Sequence, residues 1–114
     1  MIGSEKQIAW AEKIKAGMED DFAAIMDQVS GNEHAVKTIE FIQNIEHASF
    51  WISYRKNVPT DMLREICSKG LRLRGNEYSH KATVDQTTGK ITITWTEIVS
   101  DGKGGHKETM AEEI

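Results

Sequence analysis

Residues 82–99 read Ala82-Thr83-Val84-Asp85, Gln86-Thr87-Thr88-Gly89-Lys90, then Ile91-Thr92-Ile93-Thr94-Trp95-Thr96-Glu97-Ile98-Val99. From Ile91 onward apolar residues alternate with threonines, so Ile91, Ile93 and Trp95 share one face and Thr92, Thr94 and Thr96 the other. That two-residue period belongs to a strand with one face on a core. The glycine-bearing loop ahead of it turns Ala82-Thr83-Val84 back alongside, which predicts a hairpin. A second turn, Asp101-Gly102-Lys103-Gly104-Gly105, brings the chain back through His106 to Met110. Residues 71–114 therefore read as an antiparallel hairpin or meander.

Upstream the period lengthens to that of a helix. Ser4 followed by Gln7 matches a capping box, in which hydroxyl and amide satisfy two helix-end N–H groups reciprocally. Ile8, Ala11, Ile14, Met18, Phe22, Ile25 and Val29 then recur every three or four residues, predicting one amphipathic helix as far as Ser30-Gly31. Gly17 sits in its interior and costs about 1 kcal/mol against alanine, so a kink is a natural place to look. A rod of that length carries more apolar stripe than a small core can cover, which favours self-association. Gly31-Asn32 can cap a second helix through Ala35, Val36, Ile39, Ile42 and Ile45. Ala48, Trp51, Ile52 and Arg55 continue at helical spacing, and Glu46-His47 either interrupts or prolongs that helix. Val58-Pro59 stops it, since the residue before proline avoids the α region. Thr60 or Asp61 then caps a shorter helix through Leu63, Ile66 and Cys67, closed by Gly70. Between Leu71 and His80 a short strand and a loop fit equally. The expected architecture is α+β in a single domain, 1–114, with a helical part over 1–70 and a sheet part over 71–114.

The balance of residues narrows the function classes. Of 114 residues, 39% are hydrophobic and 28% charged, with one proline, which argues against disorder. The longest apolar runs are far too short for a bilayer span, and Met1-Ile2-Gly3-Ser4-Glu5-Lys6 does not resemble a secretory leader. A lone Cys67 rules out an internal disulfide and a multi-cysteine zinc site, and points to a reducing compartment. Residues 1–54 hold 4 Lys/Arg against 9 Asp/Glu, residues 55–81 hold 7 against 3, and residues 82–114 hold 3 against 6. An acidic chain with a basic middle is a poor wrapper of long nucleic acid. The basic segment suits a small anion, or else simply balances the acidic helices.

Catalytic patterns are scarce. His34, His47, His80 and His106 lie on different segments without metal-ligand spacing, so neither a metal nor a cofactor is expected. Cys67 lies on an apolar helical face beside Leu63 and Ile66, as a small buried hydrophobe does. Gly102-Lys103-Gly104-Gly105 has the composition of a phosphate cradle, yet no helix follows, so a hairpin tip is the better reading. The chain reads as a non-enzyme. Its aromatic and basic groups are the stronger lead. In Leu71-Arg72-Leu73-Arg74-Gly75-Asn76-Glu77-Tyr78-Ser79-His80, a base could stack on Tyr78 while Arg72 or Arg74 holds a phosphate. The plainer alternative has Tyr78 covering one end of the sheet and the arginines paired with helix carboxylates. Trp10 falls off the main stripe, about 200° from Ile8, either as a spare stacking surface or as part of a subunit-facing stripe.

The opening Gly3-Ser4-Glu5-Lys6-Gln7-Ile8-Ala9-Trp10-Ala11-Glu12-Lys13-Ile14, with Ala48-Ser49-Phe50-Trp51-Ile52 and Gly89-Lys90-Ile91-Thr92-Ile93-Thr94-Trp95, resembles phrases of small phage and prophage proteins. Within that group the chain is similar to the phage anti-Thoeris sponge family. The resemblance implies N-terminal helices, a C-terminal antiparallel sheet and assembly as dimers or larger oligomers. It implies non-covalent capture, in the bacterial host's cytoplasm, of a cyclic nucleotide signal: cyclic ADP-ribose type, or cyclic oligonucleotides in some members. The candidate ligand-binding residues are Arg72, Arg74, Tyr78, His80 and Lys103; no arginine follows Arg74, so a phosphate clamp in the final hairpin would use Lys103 or Lys107. The competing expectation is a protein-binding inhibitor of a host nuclease or other defence factor, its acidic first helix imitating nucleic acid. A third is a structural protein in which Trp10 and Met18 only build a dimer.

Overall fold

The computed structural model describes residues 1–73 and 80–114. Five helices, α1 (Glu5–Ala16), α2 (Glu19–Gln28), α3 (Glu33–Gln43), α4 (Ala48–Ser53) and α5 (Pro59–Ser68), precede four strands, β1 (Leu71–Arg72), β2 (Lys81–Val84), β3 (Ile91–Val99) and β4 (His106–Glu113). The strands pair antiparallel in the order β1-β2-β3-β4. The chain is therefore α+β. No helix among the described residues is long and apolar enough to cross a membrane.

Local signals act where the sequence places them. Ser4 Oγ accepts the Gln7 N–H at 3.2 Å while Gln7 Oε1 accepts the Ser4 N–H at 3.0 Å, completing the capping box. Asn32 Oδ1 accepts the N–H groups of His34 and Ala35 and so caps α3. Asp85 Oδ1 takes the N–H groups of Thr87 and Thr88, and Gly89 supplies a φ of +72° that closes the β2–β3 turn. A Cβ on Gly89 would collide with the His34 ring, so only glycine lets this turn press onto α3.

The single long helix does not form. The chain divides into α1 and α2 at Gly17-Met18, where the Met18 N–H turns to the Lys15 carbonyl, three residues back, instead of four. Glycine lowers the cost of leaving the helix there, and Glu19, Asp20 and Asp21 then fill the first turn of α2, where carboxylates complement the dipole. The break lets α1 pack on α4 and α2 on α3 and α5. Ala11, Met18, Phe22 and Ile25 are all buried within one chain. An over-long stripe is thus no ground for self-association, and Met18 belongs to the core instead of a dimer face. One open alternative is also decided, and one smaller expectation changes. Glu46-His47 interrupts the helical run, because a parallel bridge between Ile2 and His47 occupies that stretch. The fifth helix is capped at Val58, with Pro59 in the first turn, where a missing N–H costs nothing, and Asp61 accepting the Val58 N–H.

The core centres on Trp51, Phe50, Ile39, Ile42, Met62 and Ile66, roofed by Leu71, Leu73 and Ala82, with Val84 and Ile93 packed against it. Beyond Thr94, the last β3 residue opposite β2, the ribbon of β3 and β4 extends outward and β4 is exposed except for Met110. Accordingly the radius of gyration is 15.6 Å, above the roughly 13 Å of a compact chain of this length.

Candidate functional site

Gly70 leaves α5 with φ +88°, and β1 starts immediately after it. A Cβ there would lie 2.8 Å from Lys81 Cε and 2.9 Å from Thr83 Cγ2, so the bare backbone is what lets the lysine stem cross over it. Leu71 pairs with Ala82, both fully buried, and these define the inner face of the sheet. The next pair, Arg72 opposite Lys81, is exposed on the outer face. The Leu73 N–H donates to the His80 carbonyl, which makes Arg72 and Lys81 a non-hydrogen-bonded pair, the type whose side chains approach closest. Two cations directly opposite repel, and this costs a sheet stability. Across β2, Lys81 in turn faces Thr94, whose hydroxyl lies 3.5 Å from the Lys81 carbonyl. The outer face at this end thus offers two cations beside a hydroxyl, an arrangement suited to an anion.

Tyr54, at the end of α4, lies beside this corner, with its hydroxyl in the electrostatic neighbourhood of Glu65 on α5 and of Arg72 on β1. Burial, reinforced by Glu65 and opposed by the Arg72 N–H, pushes its phenol from 10.0 up to about 12. A raised folded-state value favours the fold fully below pH 10, and that contribution is lost as the pH climbs through about 12. Phenolate absorbance should show one tyrosine titrating near pH 12, absent from Tyr54→Phe; titration of that residue at pH 10 would contradict the buried hydroxyl.

The remaining sequence candidates lie apart from this pair. His80 stacks on Trp95, ring centroids 4.9 Å apart and planes 15° from parallel. Trp95 shares the inward register of Ile91 and Ile93, so this stack and the Arg72–Lys81 pair occupy opposite faces of the sheet. Lys103 sits in the β3–β4 turn, beyond Val99, and five residues of strand from Thr94 to Val99 already span about 17 Å. Asp101 Oδ1 accepts the Lys103 and Gly105 N–H groups at 2.8 and 3.1 Å, so two of the glycine loop's amides are satisfied from within. Those bonds, with the His106 contact, hold Asp101 below the usual carboxylate range, while Glu108 and then Asp101 raise His106. The tip is an internally closed turn. Arg74 and Tyr78 lie outside the described residues.

A separate cleft of about 170 Å³ opens between α3, α5 and the β2 end, with His34, Cys67 and Gln86 on its walls. Burial raises the Cys67 thiol and so disfavours its thiolate. Neither this cleft nor the shallow polar hollow along α5 involves Arg72, His80 or Lys103. Among the described residues no group of three or more His, Cys, Asp or Glu side chains is placed to hold a metal ion.

Lys81 and Trp95 are the residues that sequence reasoning missed. Lys81 follows the aromatic and basic stretch directly, but its opposition to Arg72 depends on the β1–β2 register, which no local pattern announces. Trp95 was legible as an inward strand residue, and only its pairing with His80 was hidden. Compared with protein-family models, with curated proteins and with solved structures, the chain matches none of them.

Proposed function

We propose that this protein is a non-catalytic binder that captures a small phosphorylated ligand, of the cyclic ADP-ribose or cyclic oligonucleotide class that the anti-Thoeris resemblance implies, in the cytoplasm of a bacterial host. The observation that carries the reading is the exposed Arg72–Lys81 pair. A phosphate seated between the two cations replaces repulsion with two charge-assisted contacts, so binding and sheet stability rise together. Capture without turnover needs donors already in place, which Gly70 favours by letting the Lys81 stem lie against its bare backbone. The raised Cys67 thiol supports a binder over a thiol enzyme. Assembly of copies is part of this reading, as the resemblance implies.

The test is a thermal melt against cyclic ADP-ribose isomers and cyclic dinucleotides, followed by heat release and chromatography. At 100 times its dissociation constant a ligand adds about 2.7 kcal/mol, a rise on the order of 10 °C, and the ligand should return intact. A ligand consumed during incubation would identify an enzyme instead, and a melt unmoved by every phosphorylated probe would reject the ligand class.

One observation favours a second reading. Glu19, Asp20 and Asp21 stand exposed together on the first turn of α2, a compact acidic knob suited to a basic groove on a host protein. That reading predicts a partner recovered by pull-down whose binding collapses as salt rises.

A further inference from the structure

The sheet has two edges, and the protein treats them differently. The β1 edge is only two residues long, and Tyr54 lies beside its Arg72. The β4 edge is eight residues long and exposed along its length except at Met110, with a continuous register from Thr92 opposite Glu113 to Val99 opposite His106. It holds no proline and is not interrupted by a bulge, and its charged side chains, His106, Lys107, Glu108, Glu112 and Glu113, carry both signs, so they discriminate between partners and registers. The Ile114 N–H donates to the Ile91 carbonyl. By the antiparallel alternation that bond sets, Glu112 and Met110 also turn their backbone groups toward β3, whereas Thr109, Ala111 and Glu113 turn theirs outward.

We infer that β4 pairs antiparallel with β4 of a second copy of this chain, centred on Thr109, so that two four-stranded sheets join into one of eight strands. The occupant follows from charge complementarity. A two-fold axis perpendicular to the sheet keeps each face on its own side, so a residue can oppose only residues of its own face. Centring on Thr109 sets His106 opposite Glu112 of the other copy at both ends, sets Glu108 opposite Met110, and opposes no like charges. It also brings Lys107 diagonal to Glu113 of the other copy. Centring on Met110 instead opposes Glu108 to Glu112 twice, and centring on Glu108 opposes that residue to itself. Asp101 and Glu108 engage both ring nitrogens of His106 and favour its charged form, so it meets Glu112 of the other copy through charge alone and not through a further hydrogen bond. Short side chains, Thr109 and Ala111, line the outer face at the seam and leave the strands free to approach. An edge contact alone falls at the small end of stable interfaces, so the dimer is concentration-dependent. The pairing does not depend on any ligand.

Sedimentation of the intact protein over a concentration series should show a reversible monomer–dimer equilibrium. Thr109→Pro removes an N–H that faces away from β3, so the hairpin should persist in the amide spectrum while association weakens about tenfold or more. Under mild oxidation Thr109→Cys should crosslink two chains where the wild type, with Cys67 alone, and Met110→Cys do not. A wild type monomeric at every concentration, a Thr109→Pro protein that dimerises unchanged, or preferential crosslinking through Met110→Cys would each overturn the Thr109-centred pairing.

Discussion

Trp51→Ala removes about 3–5 kcal/mol, a large fraction of the roughly 5–15 kcal/mol that holds a domain folded. Trp51 is fully buried and meets Phe50 and Phe22 edge-on, at centroid distances of 5.0 and 6.1 Å. It therefore joins α2 to α4, and its indole N–H donates to the Ile45 carbonyl at 2.9 Å, fixing the link between α3 and α4. Alanine leaves a large cavity and a buried carbonyl without its donor, and the two costs act at one place. Trp51→Phe keeps much of the packing and should lose about 1–3 kcal/mol, chiefly through the orphaned carbonyl. Trp10→Ala is the control. Trp10 is 47% exposed, with the Arg55 guanidinium 5.4 Å from its ring centroid, a contact worth about 0.5–1 kcal/mol at such sites. Urea unfolding with an unchanged slope measures all three. A Trp51→Ala protein within 1 kcal/mol of wild type, on the scale of an ordinary surface change, would refute this account of the core.

Lys81→Glu is the second large effect, and its sign differs between stability and binding. Opposite Arg72 it turns a repulsive cross-strand pair into an attractive one, so the melt should rise by the equivalent of about 0.5–1 kcal/mol. The same change removes one of two cations from the proposed phosphate site and adds an anion, which should weaken a phosphorylated ligand about 100-fold. A more stable protein that no longer binds cannot be explained by unfolding. Lys81→Gln separates the contributions: it relieves the repulsion and loses one charged contact, so affinity should fall about tenfold. Stability unchanged by Lys81→Glu would mean that the two cations do not feel each other. Affinity unchanged, measured by calorimetry with the ligand that shifts the wild-type melt, would move the site elsewhere on the molecule.

The sequence alone determined what a few neighbouring residues can settle. The Ser4–Gln7 box, the Asn32 cap and the turn before Ile91 each close hydrogen bonds within about five positions, and periodicity named the inward residues Phe22, Ile25, Ile39, Ile42 and Ile91. Tertiary structure decided the rest. A favourable stripe runs straight through Gly17, and the helix ends there because two shorter rods cover their apolar faces better than one long rod could. Arg72 opposes Lys81, and His80 meets Trp95, through strand registers that join distant residues, since a one-residue slip would send each side chain to the other face. Lys103 belongs to the same charge pattern in the chain, yet lies a strand's length away because β3 continues past its β2 partner. Hydrogen bonds between near neighbours can be read from residue order. Proximity between distant residues is set by the packing of the whole chain.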